Sequence, residues 1–199
     1  MGPLATKIQT MYGYTDYEMA IIKYSITALL SELSKILILG TLFAFIGKFD
    51  LFIAASVLLI LLRVNGGGYH CKHYITCLLM TACILGAAVI CLPLIQITNY
   101  SIILLGLTIC LFITYYIGPV PSPFRPKPDM KLIKRCHNNC FITIFVFIII
   151  VSIFNSNMAI RPYLIVGFWT TILNTLQLII AKIIRKGEFE WWKNLDIQV

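Results

Sequence analysis

The chain has 199 residues, of which 59% are hydrophobic and 12% are charged. Charged residues make up about 25% of a typical soluble domain, so this composition excludes an ordinary globular protein and indicates an integral membrane protein. The net charge of +8 would favour nucleic-acid binding in a soluble protein. Here the basic residues flank apolar stretches, so lipid headgroups and membrane orientation explain them and we expect no nucleic-acid partner.

Six apolar segments predict an all-α integral membrane protein with six membrane-embedded helices. They cover residues 20–46, 51–62, 74–97, 102–117, 141–154 and 163–184. Thr15 and Glu18 precede the first segment with the spacing of a capping box. Within it, Glu32 and Lys35 can pair at i, i+3. We interpret them as charged turns that face lipid headgroups, and the alternative is a buried polar pair near a functional site.

The second predicted segment, residues 51–62, is short. At 1.5 Å per residue it extends about 18 Å, well below the roughly 30 Å of a hydrocarbon core. Either it spans a locally thinned bilayer, or the glycine run that follows Arg63 lies below the membrane surface in a protein-lined cavity. Irregular backbone at that depth requires protein or water to satisfy it.

The chain reads as one membrane domain over residues 1–199, with an interfacial segment at 1–19 and a cytoplasmic Pro/Lys-rich loop at 118–139. Five prolines between residues 118 and 129 prevent a continuous helix there. If both termini lie in the cytoplasm and all six segments cross, only Lys48 and Arg161 of the 16 basic residues lie outside, and Lys35 lies within a span. This asymmetry predicts that the glycine-rich loop between helices 2 and 3 is cytoplasmic.

Histidine, thiol and flexible backbone come together in that loop, as His70, Cys71, His73 and Cys77. A thiol beside an imidazole can act as a nucleophile, and helical spacing favours His73 as the base for Cys77, whereas His70 would need a bent backbone. A zinc site is an alternative, although the spacing matches no common metal motif, and we expect no metal and no cofactor. A solvated loop without chemistry also remains open. The other candidate thiols are Cys71, Cys136 and Cys140.

The residues Arg63, Gly67, Gly68, His70 and Cys77 follow the pattern of the accessory gene regulator B (AgrB) family of membrane endopeptidases, which the chain resembles over nearly its whole length. The resemblance extends to Asp16, Glu18 and Tyr24 and to the loop from Gly118 to Arg135. It implies Cys77 as nucleophile and His70, outside regular helix, as general base. Arg63, Gly67, Gly68, Asn65 and His73 would support them, with Asn65 or backbone N–H groups near Cys77 as possible oxyanion donors.

The resemblance also implies a substrate, an AgrD-like pro-peptide with an acidic C-terminal tail. The enzyme would remove the tail through a thioester and yield a cyclic thiolactone signal for quorum sensing. The family further implies a homodimer in the bacterial cell membrane, with its active site facing the cytoplasm. Five basic residues could attract the tail or only set topology: Arg125, Lys127, Lys131, Lys134 and Arg135. The alternative function is a non-enzymatic transporter or adaptor with incidental loop thiols.

Overall fold

The computed structural model describes residues 9–68, 73–95, 97, 99–120 and 128–195, with side chains described up to residue 184. Six long helices lie within these ranges: α1 (Asp16–Phe45), α2 (Phe49–Gly66), α3 (Tyr74–Gly86), α4 (Tyr100–Ile117), α5 (Met130–Phe154) and α6 (Arg161–Leu195). In the described ranges, the only extended pairing is an isolated bridge between Gly67 and Val120. The predicted all-α class is therefore confirmed.

Each predicted segment corresponds to a helix that is long and apolar enough to cross a membrane. The second helix is longer than predicted, because it continues through Arg63 to Gly66. Its 18 residues extend about 27 Å, close to the thickness of a hydrocarbon core. The fifth helix also begins earlier, at Met130 rather than Phe141, so the part of the predicted 118–139 loop from Met130 onward is helical.

The capping box at the start of α1 is confirmed. The Thr15 hydroxyl accepts a hydrogen bond from the Glu18 backbone N–H at 3.3 Å, and the Glu18 carboxylate accepts one from the Thr15 backbone N–H at 2.8 Å. The side chain of Gln9 also donates to Asp16 at 2.7 Å. Backbone donors that have no partner in the first helical turn are satisfied in this way, which defines where α1 begins.

The third span changes its helical pitch before it ends. α3 is followed by a π-helical turn, Ala87–Cys91, and a 3-10 turn, Leu92–Leu94, that contains Pro93. Proline has no backbone N–H and its ring clashes with the preceding turn, so it does not suit the interior of a regular α-helix. The span therefore ends at Leu94, three residues before the predicted end.

α6 is the central helix, packed against α2 on one side and against α4 on another. The α1–α2–α3 side of the core meets α6 at Val166, while the α4–α5 side meets it at Leu164 and Phe168. Close approach depends on two glycines. A Cβ on Gly106 would lie 2.8 Å from the Phe168 ring, and one on Gly167 would lie 2.5 Å from the Phe147 ring. This packing holds the end of α2 and the start of α3 beside α6.

Candidate active site

Cys77 lies in the first turn of α3, the helix that follows the glycine-rich segment. His73 is the N-cap of that helix, with extended backbone angles (φ −106°, ψ 140°), and its carbonyl accepts the Cys77 backbone N–H at 3.2 Å. The Cys77 side chain is half-buried. The positive end of the helix dipole therefore lies close to a partly accessible thiol.

His73 does not have the helical geometry that its spacing from Cys77 suggested. Its backbone is extended and its side chain is exposed, so the i, i+4 argument that favoured it as the base is wrong. The other candidate base, His70, lies outside the described residues, as does Cys71. The prediction that His70 leaves regular helix to meet Cys77 therefore stays a prediction.

The Cys77 sulfur contacts a lysine from another helix. The ammonium nitrogen of Lys35, on α1, lies 3.3 Å from the Cys77 Sγ. Lys35 is only 2% exposed, and its second partner is the Glu32 carboxylate at 2.5 Å. The i, i+3 pairing of Glu32 and Lys35 is confirmed, but the expectation that both face lipid headgroups is wrong for Lys35. A lysine well inside an apolar span was the signal for a functional position.

Arg63 connects three helices around Cys77. One guanidinium nitrogen donates to the Thr81 hydroxyl on α3 at 3.1 Å, and the other donates to the Gln177 side-chain oxygen on α6 at 3.0 Å. The Thr81 hydroxyl in turn donates to the Cys77 carbonyl at 2.9 Å. Arg63 therefore fixes the position of the α3 turn that carries the thiol.

Thr81 and Gln177 are site residues that the sequence interpretation missed. Gln177 belongs to a set of buried polar side chains on α6, namely Thr170, Thr171, Asn174, Thr175 and Gln177. Residues 170, 174 and 177 recur at i, i+4 and i+7, which places them on one helix face. That polar face inside an apolar span could have indicated a buried hydrogen-bonding surface.

The glycine run leaves α2 in a conformation that favours glycine. Gly67 has φ 71° and Gly68 has φ 137°, both in the region where a Cβ is disfavoured. Its backbone pairs with the segment after α4: the Gly68 N–H donates to the Val120 carbonyl at 3.2 Å, and the Val120 N–H donates to the Gly66 carbonyl at 2.9 Å. The irregular backbone at the end of α2 therefore has hydrogen-bond partners within the protein. The depth of the glycine run relative to the membrane stays a prediction.

A cavity of about 440 Å³ lies beside these residues, between α1, α2 and α5. Its polar lining includes Glu32, Lys35 and Arg63, and its apolar lining includes Leu39 and Phe52. An apolar cavity with a few convergent polar groups is the usual form of a binding site for a small or extended ligand. The contact between Lys35 and Cys77 connects this cavity to the thiol.

Asn65 and one basic residue of α5, Arg135, line the same cavity. The Asn65 amide donates to the Leu61 carbonyl at 2.8 Å and its oxygen accepts from Asn139 at 3.2 Å. Arg135 lines the cavity and is exposed. Lys131 and Lys134 are exposed in the first turns of α5, while Arg125 and Lys127 lie outside the described residues.

A comparison with known proteins matches nearly the whole chain. The family model described as accessory gene regulator B matches residues 3–180. A protein of Clostridium beijerinckii described as AgrB-like is 35% identical over 118 residues. That alignment covers 57% of each chain, so this chain spans little more than half the length of the curated relative that it matches. No solved structure matches the chain.

Proposed function

The chain belongs to the accessory gene regulator B family, and from this premise we propose that it is a membrane cysteine endopeptidase. Its substrate is an AgrD-like pro-peptide, from which it removes the C-terminal tail. The observation that supports this most strongly is the environment of Cys77, a half-buried thiol at a helix N-terminus with an ammonium 3.3 Å from its sulfur. A cation and a helix N-terminus both stabilise negative charge on a thiol, which is the nucleophilic form.

The reaction transfers an acyl group in two steps. His70 takes the Cys77 proton, and the sulfur attacks the carbonyl carbon at the junction between signal and tail. The C–N bond breaks, the tail leaves as an amine after His70 returns the proton, and a thioester remains on Cys77. A cysteine thiol of the peptide then attacks the thioester, which releases Cys77 and closes a thiolactone. Exclusion of water around the thioester favours cyclisation over hydrolysis.

Other site residues support this chemistry by holding the reacting groups in place, by stabilising the oxyanion or by attracting the substrate. Arg63 holds the Cys77 turn through Thr81, and the positive-φ glycines allow the chain to turn between Arg63 and His70. Backbone N–H groups near Cys77 or the Asn65 amide stabilise the oxyanion. Basic side chains at the start of α5, together with Arg125 and Lys127, attract the acidic tail.

A transporter or adaptor is the second candidate. Such a protein would also need six apolar spans and a cavity, but its function would not depend on a thiol beside a buried lysine. The bilayer location follows from the six apolar helices. The cytoplasmic orientation of the active site and the homodimeric state are also part of the proposal. Light scattering of the detergent-solubilised protein would measure the oligomeric state.

The proposal is tested with purified protein in liposomes, incubated with the pro-peptide encoded beside its gene. We expect Cys77→Ala to lower the rate of tail removal at least about a hundredfold, because the nucleophile is lost. The matched control is Cys136→Ala, which removes another half-buried thiol that lines the cavity. Mass spectrometry of the products measures both cleavage and ring closure.

The same assay separates the two histidines. His70→Ala should abolish tail removal, whereas His73→Ala should reduce it only mildly, because His73 is an exposed helix cap. Continued processing by the Cys77→Ala protein would end the protease proposal. Equal, mild losses in both histidine variants would show that His70 is not the base.

A further inference from the structure

We propose that Lys35 is a third catalytic residue, whose ammonium stabilises the negative charge on the Cys77 sulfur during attack and release. This inference rests on the proposed role of Cys77 as the nucleophile. Lys35 keeps its three protons throughout, and the thiol proton goes to the imidazole base. The sulfur loses its charge when it bonds to the carbonyl carbon, because the charge passes to the carbonyl oxygen, and it regains its charge when the peptide thiol displaces it from the thioester.

The first argument is distance and burial. The Lys35 nitrogen lies 3.3 Å from the Cys77 sulfur, and Lys35 is 2% exposed. Charge–charge attraction is much stronger at a site shielded from water than at a protein surface. An ammonium is also expensive to hold in an apolar span. Glu32 pairs with it on the same helix, and the Cys77 sulfur is its partner on a neighbouring helix.

The second argument is that α1 is held in register with α3 beside this contact. The Ser34 hydroxyl and the Tyr74 hydroxyl are 2.7 Å apart, one residue away from Lys35 and three from Cys77. The Lys35 ammonium therefore does not reach the sulfur through a single flexible contact. Two neighbouring contacts between the same pair of helices fix the geometry, which is the preorganisation that charge stabilisation requires.

The third argument concerns the other charged groups around the sulfur. Glu32 pairs with Lys35, is 38% exposed at its side chain and lines the cavity. The Arg63 guanidinium donates to Thr81 and Gln177. Arg135 lines the cavity from α5. Among the residues that the structure describes, Lys35 is thus the cation whose nitrogen contacts the sulfur.

The test measures the reactivity of Cys77 without any pro-peptide. Purified protein in liposomes is treated with iodoacetamide, a small neutral reagent, and the alkylation rate at each cysteine is followed by mass spectrometry. We expect Lys35→Met to slow alkylation of Cys77 at least about tenfold at neutral pH, because the thiolate is the reactive form. Lys35→Arg should restore most of the rate, and alkylation of Cys136 should not change.

A control variant separates charge from helix packing. Ser34→Ala removes the contact with Tyr74 but leaves the ammonium in place, so it should slow alkylation of Cys77 by no more than about threefold, because looser positioning weakens the charge stabilisation without removing it. The proposal is overturned if Lys35→Met reacts as fast as the unmodified protein, or if Ser34→Ala slows Cys77 as much as Lys35→Met does.

The readout is independent of the proposed enzymatic activity. If Cys77→Ala still processes the pro-peptide, the protease proposal fails, but the alkylation rates still report whether Lys35 activates the thiol. If the enzyme cleaves and Lys35→Met leaves Cys77 fully reactive and cleavage unchanged, only the role of Lys35 fails.

Discussion

The basic side chains in and near the site differ in burial. The buried ones form part of the site, and the exposed ones can attract an anionic segment from a distance. Lys35 is almost fully buried and Arg63 is half-buried, and both bond to groups on other helices. Lys131 and Lys134 are exposed near the start of α5. A buried cation is stable in an apolar span only when it is paired, so the first two are part of the site framework. The exposed pair can act at longer range on a mobile anionic segment.

The first residue-scale prediction concerns the acidic tail of the substrate. Replacing Lys131 and Lys134 together by glutamine should raise KM for the pro-peptide about threefold to tenfold and leave kcat nearly unchanged, because exposed charges contribute to encounter rather than to chemistry. The increase in KM should become smaller as the salt concentration rises. Steady-state cleavage in liposomes at two salt concentrations measures it.

The matched control for that prediction is Lys48→Gln, in the turn between α1 and α2. It removes a lysine from the opposite end of the bundle and should leave KM unchanged. A pro-peptide whose tail carboxylates are replaced by amides should be insensitive to the Lys131 and Lys134 changes. An equal loss with that peptide would mean that these lysines do not recognise the tail charge.

At the scale of helices, the site lies in the half of the bundle opposite the α1–α2 turn, with Cys77 in the first turn of α3, Arg63 in the last turn of α2 and Lys35 further inside α1. Lys35 is ten residues from Phe45, the last residue of α1, which corresponds to about 15 Å along the helix axis. Cys77 is 17 residues from Leu94, where the third span ends, or about 25 Å. The contacts of Lys35, which is 2% exposed, form where water is scarce, which strengthens them.

Helix packing around α6 gives an element-scale prediction. Gly167→Ala should lower the free energy of unfolding by about 1–3 kcal/mol, because the new methyl group would lie 2.5 Å from the Phe147 ring and 3.4 Å from Leu58. The unfolding midpoint in detergent, followed by circular dichroism, measures this change.

The matched control is Gly86→Ala, at the end of α3, where an added Cβ would meet no atom within 4 Å. Alanine is favoured over glycine in helices by about 0.5–1 kcal/mol, so this variant should be as stable as the unmodified protein or slightly more stable. Equal destabilisation by both substitutions would contradict the close packing assigned to Gly167.

At the scale of the whole molecule, charge is distributed unevenly between the two ends of the spans. Lys48 lies in the turn between α1 and α2, and Arg161 lies at the start of α6. Lys131, Lys134 and Arg135 lie at the start of α5, near the opposite end of the bundle. The positive-inside rule then predicts that the α1–α2 turn is outside and that the start of α5 is cytoplasmic.

Membrane topology is predicted from this distribution. In intact cells, a membrane-impermeant maleimide should label Lys48→Cys and should not label Lys131→Cys. After the cells are permeabilised, both introduced cysteines should be labelled. Site-resolved mass spectrometry distinguishes them from the native cysteines. Labelling of Lys131→Cys in intact cells would reverse the orientation and place the active site outside.

The sequence by itself determined the features that depend on residues close together in the chain, namely the helices and their caps. Six runs of apolar side chains predicted six spanning helices, and the spacing of Thr15 and Glu18 predicted the start of α1, because helix formation and capping depend on residues close in the chain. The motif that contains Arg63 and Cys77 also led to the family.

Only the tertiary structure decided where charges could be buried. α2 continues past Arg63 because that charge finds a partner on α6, 114 residues away in the chain. Lys35 pairs with Glu32 on its own helix, and the folded chain places Cys77, 42 residues away, beside the same ammonium. His73 is a helix cap rather than a helical neighbour of Cys77. In a local sequence pattern, a charged residue is interpreted as lying at the membrane surface. Packing between helices that are distant in the chain can instead supply a partner that stabilises the charge inside the helix bundle.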